Sequence, residues 1–152
     1  LALSIRRENA LALEAGALRG IVDPAILLAR ALMSYVFIVE GYGKLLHYSD
    51  VGEYMQSHGV PAMLLPLVIL TEFGGGLLIL GGLMTRWAAI ALGGFAILTA
   101  LIFHRDGADA EQTINLQKNF AIAGGFLVLA VFGPGAWSFD GWLARARGSE
   151  AR

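Results

Sequence analysis

The sequence has no cysteine, only four prolines and few charges: 15% of its 152 residues are Asp, Glu, Lys or Arg, against about 25% in an ordinary soluble domain. Without cysteine, this chain alone can form no disulfide, thiol redox centre or thiolate metal site. A net charge of −1 and the lack of a basic patch interleaved with aromatics remove nucleic acid as an expected partner. The histidines, His47, His58 and His104, have no close ligand spacing, so no metal site is expected. There is no nucleophile elbow, phosphate-cradling loop or pair of catalytic carboxylates, and an enzyme acting alone is the least expected reading. No intrinsic cofactor is evident.

What is present is apolar. Hydrophobic residues make up 57% of the chain, and the mean hydropathy is +0.65. A soluble domain of this size leaves roughly 30% of its unfolded surface exposed, too much for so greasy a chain. Residues 119–139 hold no charged side chain over 21 positions. Residues 87–104 are apolar and end on His104, 62–84 are interrupted by Thr71 and Glu72, and 24–46 by Arg30, Ser34, Glu40 and Lys44. At about 1.5 Å per residue, each window can cross a hydrocarbon layer of about 30 Å. The expected fold is all-α, an integral membrane bundle of four transmembrane helices over about 24–46, 62–84, 87–104 and 119–137.

The punctuation fits those spans. Asp23 can cap the first helix, with Pro24 in its first turn. Pro61 can open the second span, and "GGLMTRW" at 81–87 leaves room only for a tight hairpin. "FGPGAW" at 132–137 stops the fourth span, because Pro134 cannot continue a helix. The chain divides into an N-terminal arm (1–23), a membrane domain (24–143) and a C-terminal tail (144–152). Charges interrupt any secretory signal in the arm, which reads equally as an amphipathic helix on the membrane face or a frayed segment.

Basic residues set the expected orientation. Arg6, Arg7, Arg19, Arg86, Arg145, Arg147 and Arg152 fall on the side of both termini and the 84–87 hairpin. Arg105 and Lys118 lie opposite, with Lys44 at a helix end. Both termini are therefore expected in the cytoplasm. The loops around 47–61 and 105–117 then face out, carrying Asp50, Glu53, Asp106, Asp109 and Glu111. Trp87, Trp137 and Trp142 fall at the cytoplasmic ends, where indoles anchor at headgroups.

The charges inside the spans are the functional signal. At 100° per residue, Arg30, Phe37, Gly41 and Lys44 share one stripe, with Glu40 at its edge. A charge facing lipid costs about 2.5–3.5 kcal/mol on insertion scales, so the stripe must face the bundle interior or a wet cavity. Glu72, near the middle of the second span, can be reached by Arg30 or by Lys44. Glu40 and Lys44 also form an i,i+4 pair that can snorkel outward without any function. With His104 and Asn119, the outer half gathers a candidate pocket. Gly74, Gly75, Gly81 and Gly82 read as close helix packing. Arg86 and Asp140 are placed to pair at the cytoplasmic rim.

Arg30, "FIVEGYGKLLH", "TEFGGGLLILGGLMTRWAA", His104 and the closing "GPGAWSFD" together resemble the DoxX family over roughly residues 25–143. The resemblance implies a four-helix protein of the bacterial cytoplasmic (inner) membrane, in a family tied to quinone-linked sulfur oxidation and oxidative-stress complexes. Carried over, Arg30, Lys44, Glu72, Arg86, His104, Ser138 and Asp140 match the family's polar positions, while Asn119 stands where an acid is often found.

The expected function is an accessory or anchoring subunit of a quinone-linked or redox-protective system, with a redox-enzyme subunit as partner. Lys44, His104 and Asn119 would donate to a quinone carbonyl or an anion, Glu72 would set their charge, and Arg30 would balance it from the inner side. The alternatives are a small-solute or ion carrier working as a homo-oligomer, with Glu72 as the ion site, and a scaffold recruiting soluble enzymes through its tails.

Overall fold

The computed structural model describes residues 2–105 and 110–150, with side chains over 20–105 and 110–148. Helices account for all the regular structure among the described residues: α1 (Ala2–Leu46), α2 (Tyr48–Ser57), α3 (Ala62–Gly81), α4 (Thr85–Phe103), α5 (Ala110–Phe132) and α6 (Phe139–Glu150). Among the described residues, four stretches are long and apolar enough to cross a membrane: Gly20–Leu46, Ala62–Gly81, Thr85–Phe103 and Ala110–Phe132.

Three features differ from the expectation. First, α1 runs unbroken through Pro24. Proline removes one intrahelical donor and crowds the carbonyl four residues back, which here belongs to Gly20, the residue with least bulk. Asp23 therefore caps no helix start; its carboxylate accepts the backbone N–H of Ala136 at 2.7 Å instead. Second, the segment after α1 contains a helix, α2, whose Gly52 and Met55 are buried. Met55 packs with Leu65 and Ile69, and Val51, Val60, Val68, Phe73 and Phe103 close around them. Third, helices extend into both polar segments: residues 144–150 continue α6, and α5 starts at Ala110, inside the loop expected over 105–117, and ends at Phe132, short of the 137 expected. The arm's backbone is helical from Ala2, as part of α1; the side chains of Arg6, Arg7 and Arg19, and residues Asp106, Asp109 and Arg152, lie outside what is described, so whether that helix is amphipathic is outside it too.

The path of the chain explains the bundle. α3 ends in a glycine turn: Gly82 takes φ +69°, its N–H donates to Ile79 O at 3.2 Å, and the Leu83 N–H donates to Leu78 O at 3.0 Å. That pair of bonds satisfies carbonyls a helix end leaves open, and α4 starts three residues later. α1 packs on α3, α3 on α4 and α4 on α5. The ring closes where Phe37 of α1 meets Phe126 of α5 edge to face, centroids 5.4 Å apart.

The interior is narrow and built largely of small residues. Ala88, Ala89, Gly93, Ala96 and Ala100 of α4 are buried, and Gly93 lies under Phe126. Large side chains such as Leu32, Tyr35, Leu67, Leu70, Ile90 and Leu127 face outward. Small inside and large outside is how helices pack in lipid, where close backbone approach replaces hydrophobic burial.

Candidate functional site

Polar groups form two clusters, one at the hairpin end and one reaching from the α2 end of α1 to Glu72 at the middle of α3. At the end carrying the α3–α4 hairpin and α6, Arg30 is 1% exposed. Its Nε donates to Ile79 O (2.9 Å), Nη2 to Leu80 O (2.7 Å), and Nη1 to both Pro134 O and Trp137 O (2.9 Å each). Four main-chain carbonyls therefore cage the guanidinium. Two come from the last turn of α3, where helix carbonyls lack intrahelical partners, and two from the turn after α5. A Cβ on Gly82 would stand 2.5 Å from Ser138 Cβ and 2.8 Å from Arg30 Cζ, so only glycine lets the hairpin close over this group.

The surroundings extend the lock. Asp140 accepts the backbone N–H groups of Met84 and Thr85, both at 2.9 Å, and so caps α4 from another part of the chain, where negative charge suits the helix dipole. Its own N–H donates to Gly82 O at 2.9 Å. Arg86 donates to Ala130 O (3.0 Å) and Val131 O (2.8 Å) at the end of α5. Ser138 donates to Gly135 O (2.6 Å) and accepts the Gly141 N–H (3.0 Å), capping α6. Arg86 and Asp140 thus do not pair with each other. Each finds backbone groups at a helix end, and it is Asp140 that joins the hairpin to the C-terminal turn.

At the other end, Lys44 Nζ lies 2.8 Å from Glu72 Oε2 and 3.6 Å from Glu40. This settles the partner of Glu72. Arg30 sits at the opposite end, spent on carbonyls, and makes no ion pair among the described residues. Glu72 is 6% exposed, while the Glu40 side chain is 64% exposed, so Glu40 is a rim partner and Glu72 an interior one. Apart from the ammonium, Oε2 of Glu72 has no hydrogen bond among the described residues.

The backbone around the pair is special. Glu72 lies in a π-helical turn, Leu70–Gly74, inside α3. Such one-residue insertions appear mostly as single turns and often at functional positions. Gly41 of α1 presses on that turn: a Cβ there would meet Phe73 N at 2.6 Å and Phe73 Cβ at 2.8 Å. The glycine lets α1 come close enough for Lys44 to reach Glu72. The same π turn helps to form an apolar groove of about 300 Å³, lined by Leu45, Tyr48, Pro66, Ile69, Leu70, Phe73 and Gly74, three of them from the turn, and not by Lys44 or Glu72.

His104 and Asn119 are not drawn into this group. His104 Nδ1 lies 2.6 Å from Gln112 Oε1, and Asn119 donates to Asn115 O at 3.0 Å. Both find partners in α5, and neither is bonded to Lys44 or Glu72 among the described residues. Of the three expected donors, only Lys44 stands at the pair. No cluster of three or more His, Asp or Glu able to hold a metal occurs among the described residues. The carbonyl cage, the Asp23 bond and the π turn have no counterpart in the sequence reading; only the glycines of "GGLM" and "FGPG" hint at the first.

Four lipid-length helices around a small-residue interior, with ionic groups turned inward, define a polytopic helical membrane protein. The family model described as DoxX matches residues 25–105, and the chain belongs to the DoxX family. It is 49% identical over 118 residues to the "Inner membrane protein YqjF" of Escherichia coli (strain K12), covering 78% of this chain and 91% of that protein. It is 36% identical over 129 residues to "Inner membrane protein YphA" of the same organism, covering 80% and 92%. No solved structure matches it. Arg30, Lys44, Glu72, Arg86 and His104 lie inside the matched family region, whereas Asn119, Ser138 and Asp140 lie beyond it.

Proposed function

We propose that this DoxX-family protein is an accessory or anchoring subunit of a quinone-linked or redox-protective system in the inner membrane. Its Lys44–Glu72 pair is the polar contact for a ligand that arrives through the bilayer. The observation carrying this reading is the coincidence at one π turn of an interior ion pair and an apolar groove. The residues suit a quinone: Lys44 offers an N–H to a ring carbonyl, and the groove offers apolar walls to a ring and tail. Glu72 holds the ammonium in place.

The exposed Arg86, Arg145 and Arg147 at the hairpin end support an orientation with both termini in the cytoplasm, by the positive-inside rule.

The test is gentle solubilisation from the host membrane followed by native mass spectrometry. A redox subunit or a quinone is expected to co-purify, and Glu72→Gln is expected to release the small molecule while the folded yield holds. If the yield alone falls, the pair is structural. A bare oligomer carrying only phospholipid sinks the reading.

A carrier is the second reading, favoured by two carboxylates facing one ammonium. Between the two polar ends, however, Phe37, Ile79, Leu92 and Phe126 fill the interior. A solute path would have to run between copies of the chain, and proteoliposome uptake abolished by Glu72→Gln would favour it.

A further inference from the structure

The hairpin end has a second groove, unrelated to the ion pair. It measures about 450 Å³ and is lined by Gly81, Trp137, Ser138, Phe139 and Trp142. Its three aromatic side chains are all more than half exposed, and Phe139 and Trp142 touch edge to face at 5.8 Å. Indoles in such a position mark the headgroup level of a bilayer, where the ring takes apolar contact and its N–H stays among polar groups.

The charge beside this groove has one sign. Arg145 lies three residues after Trp142, on the same face of α6, and its Nη1 donates to Ala136 O at 3.1 Å, next to groove-lining Trp137. A guanidinium carries five N–H donors, so this bond leaves it able to bind an anion. Arg147 and Arg86 are exposed at the same end. The carboxylates here, Asp23 and Asp140, are half-buried and occupied by backbone N–H groups. Among the described side chains, the exposed charge of this end is therefore wholly cationic. Arg145 stands beside the aromatic groove, which takes in Gly81, the last residue of α3.

We infer that this groove is a binding site for an anionic phospholipid of the adjoining leaflet. Trp137, Phe139 and Trp142 take the glycerol and first acyl carbons, and Arg145 takes the phosphate. The site lies at the opposite end from Lys44 and Glu72 and is independent of the function proposed for them.

Tryptophan quenching in vesicles tests it. A Trp87→Phe background leaves Trp137 and Trp142 as the only indoles. In phosphatidylcholine vesicles, brominated phosphatidylglycerol is expected to quench them at a severalfold lower mole fraction than brominated phosphatidylcholine. The preference should fall about fivefold when Arg145 is removed, as for a basic residue at a membrane surface, and should shrink in 1 M salt, where the screening length is about 3 Å. Arg145→Gln removes a backbone contact and can perturb the turn, so Arg145→Lys, which keeps the charge and is expected to keep most of the preference, is the control. Equal quenching by both lipids overturns the site, as does a preference that Arg145→Gln leaves unchanged or that Arg145→Lys loses as fully as Arg145→Gln. Loss of the preference on adding millimolar inorganic phosphate also overturns it, since Arg145 would then be a soluble-anion site.

Discussion

The two ends of the bundle carry buried charge in opposite ways. At the hairpin end, Arg30 meets four carbonyls of the main chain. At the α2 end, Lys44 meets one interior carboxylate and one at the rim. The first arrangement is saturated and joins segments as much as 107 residues apart. The second is sparse and sits on an irregular turn that also lines a groove. A saturated cation is a lock; a sparsely bonded pair still has capacity for a ligand. Both satisfy the rule that intramembrane charges turn inward and find partners, so that rule alone cannot tell a structural group from a functional one. The number of bonds and the identity of the acceptor can.

The largest effect is therefore expected at the lock. Arg30→Leu strips a donor from four carbonyls, of which Ile79 O keeps the Gly82 N–H, and each buried acceptor left unpaired costs about 1–3 kcal/mol. The folded yield in detergent should collapse. Arg30→Lys keeps the charge but has no planar fork to span α3 and the 134–137 turn, so it should rescue only part of the loss. Thermal unfolding followed by size exclusion would read this. An Arg30→Leu protein melting within a few degrees of wild type would show that the cage is dispensable.

The next effect separates the ends by a double substitution. Lys44→Met leaves Glu72 without its cation and should cost about 2–3 kcal/mol, below the 3–5 kcal/mol of a fully buried pair, because the Lys44 side chain is 21% exposed. Adding Glu72→Leu removes the stranded carboxylate, and stability should largely return, since apolar replacements of a buried pair are often neutral or better. No second substitution can rescue Arg30→Leu in this way, because its acceptors are peptide groups that no side-chain change removes. If Lys44→Met/Glu72→Leu melts like wild type yet retains no ligand, the pair belongs to function. If the double variant is as unstable as the single one, the pair holds α1 to α3.

A smaller effect belongs to Asp140. Its two bonds to the Met84 and Thr85 N–H groups resemble a helix cap, worth about 1 kcal/mol when replaced by alanine. Asp140→Ala should lower the melting point measurably, and Asp140→Asn, which keeps one side-chain oxygen, should recover part of it. Equal losses in the two variants would point to the carboxylate charge instead of its hydrogen bonds.

How far the sequence could go follows from which groups do the bonding. The spans are legible because their hydropathy extends over some 20 residues, and the fourth ends at Phe132, beside the glycine–proline turn expected to stop it. The inward stripe of Arg30, Phe37, Gly41 and Lys44 is legible for the same geometric reason, and three of its members lie at the two polar ends. The partner of Glu72 was open because depth allowed both cations. What decided it was the hold of main-chain carbonyls on Arg30, and since every residue carries a carbonyl, no residue type announces that role. α2 was unreadable because "YSDVGEYMQS" is mostly polar and buries only Gly52 and Met55. The π turn leaves no pattern beyond a glycine run that packing alone would also explain. His104 and Asn119 were grouped with Lys44 by depth in the membrane, and depth says nothing about direction around a helix axis.

The smallest expected effect sharpens the comparison most, because it divides the α2 end itself. Glu40 and Glu72 are both within 4 Å of the same ammonium, yet Glu40 stands at 3.6 Å with its side chain 64% exposed. An exposed i,i+4 pair contributes only about 0.3–0.5 kcal/mol, so Glu40→Gln should leave the melting point nearly unchanged. It should also leave ligand retention unchanged if Lys44 is held by Glu72 alone. Should Glu40→Gln release the ligand as readily as Glu72→Gln, the working site would extend to the rim and the ammonium would be shared. The groove beside the π turn would then be the approach to a three-group centre in place of a two-group one.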